Sequence, residues 1–153
     1  MIKWHDRKLS DLTTYIGRGI TPKYTEEKSL SVVNQRCIRK GRVNLDIARR
    51  HDESIKKPSS VKYLNNLDTL VNSTGVGTLG RVGLFRGEGR ATVDTHVTIV
   101  RKNELIDPKY LFYNLFSRQK EIERMAEGST GQTELSRHRL GDMVLKVPPL
   151  QEQ

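Results

Sequence analysis

The stretch Ala91-Thr92-Val93-Asp94-Thr95-His96-Val97-Thr98-Ile99-Val100, followed closely by the run from Pro108 to Glu127, decides the fold class. In the first stretch Ala91, Val93, Thr95, Val97 and Ile99 fall on one face of an extended chain. Thr92, Asp94, His96 and Thr98 fall on the other, which is the two-residue period of a strand. In the second, Asp107 suits an N-cap and Pro108 the first helical position, and Leu111, Phe112, Leu115, Phe116, Ile122 and Ala126 form one apolar stripe. Gly128 is a natural stop. Working outward, Ser31–Gln35, Leu67–Asn72, Arg81–Phe85 and Met143–Val147 are expected as further strands. From Asp6 to Ile16, Leu9, Leu12 and Ile16 recur at helical spacing, with Trp4 placed as an anchor and Gly17 and Gly19 able to end the turn. Arg49 to Ser60 is charged, turn-rich and expected to be exposed. The expected class is α+β: a mixed or antiparallel sheet, a helix near the N-terminus, and a longer helix after the main strands.

Charge narrows the partner. Lys and Arg number 27 against 18 Asp and Glu, a formal +9 with a pI near 9.8. Such an excess favours a polyanion, and nucleic acid is the commonest one. Cys37 stands alone, so neither a disulfide framework nor a cysteine metal site can be built. No apolar run approaches the ~18 residues of a membrane span, and no signal-peptide pattern opens the chain. A cytoplasmic protein that does not bind membranes is expected.

Three groups of residues have the chemistry to hold DNA. In the first, Gly75, Gly77 and Gly80 allow close approach of backbone N–H groups to an anionic oxygen, Ser73, Thr74 and Thr78 add hydroxyls, and Arg81 adds charge. The Gly-Lys-Ser/Thr ending of a nucleotide P-loop is absent, and no cofactor is expected. The second is the loop from Gly128 to Arg139, with Ser129, Thr130, Gln132 and Arg137. Gln pairs with adenine and Arg with guanine in the major groove, each worth ~1–3 kcal/mol of discrimination. The third is Arg36, Arg39 and Lys40 with Arg42, a cluster suited to phosphates, which position without specifying. Tyr24, outside clear elements, is a candidate stacking contact. The aromatics of the long helix are spaced for core packing instead. Asp94 and His96 sit two apart, a spacing open to a metal, but no partner carboxylate forms a motif with them; a hydrogen bond within the sheet is the expected use. No nucleophile, base and oxyanion donor assemble, so no catalytic or metal residue is assigned.

Several segments in order resemble the target-recognition domains of type I restriction-modification specificity subunits. They are Trp4 with Lys8 to Leu12; Gly17-Arg18-Gly19-Ile20-Thr21-Pro22; Asn72 to Gly83; Asp94 to Val97; Tyr110 to Leu115; Gly128 to Gln132; and Val147 to Gln153. The resemblance implies a non-catalytic module with a loop-rich, DNA-facing side that reads one half of a split double-stranded target. It also implies partners, the DNA methyltransferase (modification) subunit and the restriction subunit. Residues 1–147 would form the recognition domain, and 148–153 the start of a spacer helix that is truncated or absent. Two other readings stand beside it: a small metal-dependent nuclease using Asp94, His96 and Glu88 or Glu104, and a non-reading assembly module for a methyltransferase.

Overall fold

Leu70 and Val71 are neighbours in the chain and both are fully buried, as are Ile99 and Val100. Adjacent strand residues point to opposite faces, so this sheet must be covered on both sides. The computed structural model describes residues 1–87, 90–126 and 133–153. In chain order the strands are β1 His5–Lys8, β2 Thr13–Arg18, β3 Tyr24–Thr25, β4 Leu30–Val33, β5 Ile38–Arg39, β6 Gly41–Val43, β7 Arg49–His51, β8 Thr69–Asn72, β9 Val82–Leu84, β10 Ala91–Val93 and β11 Val97–Lys102. Helices α1 Pro108–Phe116, α2 Gln119–Arg124 and α3 Arg137–Gly141 follow, and then β12 Val144–Val147. A six-stranded sheet has the order β2-β11-β8-β9-β6-β5, a four-stranded sheet β10-β4-β7-β3, and β1 pairs with β12. β6–β9 and β10–β4 are parallel and the other pairs antiparallel, so the expected mixed α+β architecture is present.

The two faces carry different cores. Val71, Val82, Leu84 and Val100 pack with Leu111, Leu115 and Ile122 of the helices and with Leu140 and Leu145 near the C-terminus. Ile38, Leu70, Val97 and Ile99 pack on the other side against Val33, Ala91 and Val93 of the four-stranded sheet. A fully buried Leu such as Leu115 contributes about 1.5–3 kcal/mol over an exposed one, so each face holds its layer strongly. Cys37 belongs to the second core and is a free thiol.

Several expected elements are shorter than the sequence pattern suggests. The strand at 91–100 is cut in two because the Asp94 carboxylate accepts the His96 backbone N–H at 2.9 Å, a local turn that competes with the ladder. The long helix breaks at Ser117-Arg118. Beyond the break Gln119 Oε1 accepts the Val82 N–H at 2.8 Å, and Arg118 binds Glu121 at 2.7 Å and the Val144 carbonyl at 2.9 Å. The helix expected over Asp6–Ile16 reduces to one 3-10 turn, Leu9–Leu12, between β1 and β2. That turn already buries both leucines, while Thr13 to Ile16, rich in β-branched and aromatic residues, pairs with β11. Trp4 is exposed and lies outside both buried cores. Arg49 to Ser60 is not uniformly exposed: His51 is buried, accepting from Lys23 N–H at 2.9 Å on Nδ1 and meeting the Lys56 carbonyl at 2.6 Å through Nε2. After Val147 a single 3-10 turn, Leu150–Glu152, follows Pro149, and the Gln153 side chain bonds Asp107 N–H and the Leu105 and Pro148 carbonyls.

Candidate nucleic-acid interface

Strand register gathers the candidate loops at one end of the six-stranded sheet. Arg18 lies opposite Thr98, Asn72 opposite Val97, and Val71 opposite Val82. The exits of β2 and β8 and the entries of β9 and β11 therefore share an end. β6 runs parallel to β9, with Gly41 beside Gly83, so the Lys40–Gly41 reversal lies there too, both residues at positive φ (52° and 77°). Cross-bonds fix the loops to one another. Gly19 N–H donates to Asp94 O at 3.0 Å, Ser73 N–H to His96 O at 2.9 Å, and Leu135 N–H to Ser73 O at 2.9 Å. Arg18 Nη2 donates to Leu135 O at 3.0 Å, with Nη1 3.7 Å from Glu134.

The result is a concave strip made of three adjoining cavities. The middle one, about 610 Å³, is lined by Tyr15, Arg18, Lys62, Glu134 and Arg137 among others. Tyr15 and Arg137 are shared with a cavity of about 340 Å³ beside Ser10 and His138. Glu134 is shared with a cavity of about 210 Å³ lined by Gln35, Thr74, Gly75, Val76 and His96. Lys62 Nζ donates to Gly19 O at 3.0 Å, which holds its charge at the rim.

The structure brings some of the expected residues together and separates others. Thr74 and Gly75 line the strip, and Thr74 Oγ1 meets His96 Nδ1 at 2.6 Å. Thr78 Oγ1 donates to Thr74 O at 3.1 Å and closes the glycine loop. Arg137 opens α3 and is exposed in the strip; the expected loop up to Arg139 is thus helical from Arg137 onward. Arg36 follows Gln35 on a 3-10 turn, and Arg39 and Arg42 face each other across the β5–β6 hairpin around Lys40, all exposed. Arg81 leaves the glycine loop on the side of α2, because Gly80 packs against Gln119 and Glu123. Two placements correct the sequence reading. Ser73 is fully buried, its hydroxyl bonded to Thr98 Oγ1 and 3.3 Å from the Val71 carbonyl, so it serves the sheet instead of a ligand. Tyr24 lies on the edge strand of the four-stranded sheet, with the Arg49 guanidinium 3.3 Å above its ring and outside the strip. Ser129, Thr130 and Gln132 lie outside the described residues.

Sequence reading passed over Gln35, Lys62 and Glu134 and weighed His96 only for a metal or a sheet hydrogen bond; the four come from separate segments and share no local motif. Arg18 had one visible signal, a cation between two glycines. Asp94 is buried, and burial pushes its carboxyl above the usual carboxylate range, opposed by the His96 N–H and the His96 charge. The carboxylate is thus committed to the turn, as expected for a structural hydrogen bond. Glu104 follows the far end of β11, Glu88 lies outside the described residues, and no group of three His, Cys, Asp or Glu among the described residues could hold a metal ion. No helix among the described residues is long and apolar enough to cross a membrane.

The family profile described as "Type I restriction modification DNA specificity domain" matches residues 1–153. Among solved structures, the chain is similar to the S subunit of a type I restriction-modification system from M. genitalium, with TM-score 0.64 and 18% identity over 96% of this chain and 35% of that one. It is similar to the HsdS subunit from Thermoanaerobacter tengcongensis, with TM-score 0.74 and 14% identity over 97% of this chain and 34% of that one. A third match, TM-score 0.70 at 14% identity, covers 97% of this chain and 35% of a chain from work on complex assembly and conformational transition of the type I R-M system. The chain therefore spans about a third of the length of the solved chains it matches. No curated protein sequence matches it.

Proposed function

Because the chain belongs to the type I restriction modification DNA specificity domain family, we propose that it binds double-stranded DNA and reads one half of a bipartite target for a type I restriction-modification complex. The observation that carries this reading is the strip at the loop end of the six-stranded sheet. Strand register brings Arg18 to the same sheet end as the glycine loop, and loop packing sets Lys62 and Arg137 around the cavity next to the one that Thr74 and Gly75 line. Rigid strand ends supporting short loops suit groove recognition, since each loop is held by backbone bonds to its neighbour. In this reading Arg36, Arg39, Lys40 and Arg81 grip phosphates, while Thr74, Gly75, Thr78 and Arg137, with Ser129, Thr130 and Gln132, lie nearer the bases.

The chain specifies and does not itself cut or methylate; the chemistry belongs to the modification and restriction subunits it would join in the cytoplasm. Residues 1–147 would be the recognition domain and 148–153 the first turn of a spacer helix. The experiment is duplex binding across a salt series. Four cations, Arg36, Arg39, Lys40 and Arg81, each neutralising one phosphate, give a log–log slope of about −3.6. Failure to bind duplex DNA at low salt, or salt-independent binding, refutes the proposal.

A further inference from the structure

The tip of the glycine loop presents an isopropyl group to solvent. Val76 is 94% exposed, more than any other large apolar side chain among the described residues except Met1. The loop beneath it is fixed: Leu79 N–H donates to Gly75 O at 3.0 Å and Gly80 N–H to Asn72 O at 2.9 Å. Beside the tip lies Gln35, whose backbone carbonyl accepts from Asn72 Nδ2 at 3.1 Å. Its side-chain amide has no hydrogen-bond partner among the described residues, and Nε2 sits 3.4 Å from where a Gly75 Cβ would be. Both side chains line the same cavity of about 210 Å³.

The rest of that cavity decides what can enter. No Lys or Arg lines it among the described residues, Glu134 adds a carboxylate whose 3.7 Å pairing with Arg18 only partly offsets its charge, and His96 is tied to Thr74 at 2.6 Å. A base edge fits where a phosphate does not. We infer that Gln35 and Val76 together read one adenine–thymine pair in the major groove, an inference that rests on the DNA-binding reading above. The amide offers a donor and an acceptor side by side, matching adenine N7 and the adenine N6 amine; guanine presents two acceptors there and leaves the amide oxygen opposed. The isopropyl group covers the thymine 5-methyl, which cytosine lacks.

The test uses the 153-residue chain, Gln35→Ala and Val76→Ala, each selected against a randomised duplex pool. The preferred duplex is then remade with 7-deazaadenine, which lacks N7, or with uracil for thymine. Deazaadenine should weaken the unaltered chain roughly five-fold or more at one position and leave Gln35→Ala unaffected. Uracil should weaken it by roughly two- to five-fold at the paired position and leave Val76→Ala unaffected. Both side chains lie outside the cores, so an unchanged circular dichroism spectrum is expected of each variant. Unchanged preferences, with the base-analogue losses undiminished in the variants, overturn the inference alone. Unchanged DNA preference with lost binding to the modification subunit assigns the tip to a protein contact and overturns it too. No duplex binding by the unaltered chain overturns both this inference and the function it rests on.

Discussion

Three glycines of one loop make a graded test of how the site is held. Gly75, Gly77 and Gly80 all have positive φ, at 100°, 76° and 91°, but their surroundings differ. A Cβ on Gly77 meets nothing within 4 Å. Gly77→Ala therefore costs only the left-handed backbone, about 1–2 kcal/mol. A Cβ on Gly75 lands on Thr78 Oγ1, whose hydroxyl donates to Thr74 O at 3.1 Å. That hydroxyl must turn away, and losing its bond adds about 1 kcal/mol to the backbone cost. A Cβ on Gly80 lies 2.8 Å from the Gln119 carbonyl oxygen and 3.1 Å from Glu123 backbone nitrogen. Here α2 itself must retreat, and with it the Gln119 bond to Val82 N–H, so about 3 kcal/mol or more is expected. Urea unfolding of the three alanine variants, with unchanged m-values, reads these differences directly. The order should be Gly77 least, then Gly75, then Gly80. Equal losses at Gly77 and Gly80, or tolerance of alanine at Gly80, would show that α2 does not hold the loop through Gly80.

Other perturbations address stability, pH and the division of labour on the surface. Arg101 Nε and Nη2 bind both oxygens of buried Asp68 at 3.0 and 2.7 Å, and the same guanidinium donates to the Val61 and Tyr63 carbonyls. Arg101→Met strands the carboxylate, so thermal and urea unfolding should show a loss of about 3–5 kcal/mol. Asp94 is held above its ordinary value by burial, so the native state binds this proton more tightly than the unfolded chain. Stability therefore falls as pH rises from the ordinary carboxylate value through the raised one. Asp94→Asn removes that dependence, and its stability relative to the unaltered chain should improve across this window; a pH-independent difference contradicts it. Arg39→Ala, at the edge hairpin, should weaken all duplexes alike and reduce the salt slope by about 0.9. Arg137→Ala should also change which sequences are preferred, as competition binding with varied duplexes will show.

Local chemistry carried much of the fold. Asp107 and Pro108 marked the start of α1, confirmed by the carboxylate accepting Lys109 and Tyr110 N–H, and the apolar alternation around β11 was visible in the chain. What escaped was where short polar side chains interrupt a pattern: Asp94 ends a strand that its neighbours would continue. The N-terminal leucines show the same ambiguity, since a spacing of three satisfies one 3-10 turn as well as a longer helix. For the site, the glycine loop was legible because backbone freedom is written in composition. The burial of Ser73 was not, because its partner Thr98 is 25 residues away. Gln35, Lys62, His96 and Glu134 meet only through register and loop packing, which no single window contains.

Sequence-specific recognition of DNA is measured by selection from a randomised duplex pool, followed by sequencing. The 153-residue chain should enrich one short, contiguous motif, which Arg137→Ala shifts and Arg39→Ala leaves intact. Retention of duplexes with no enriched motif would make the strip a nonspecific polyanion-binding surface and contradict sequence-specific reading.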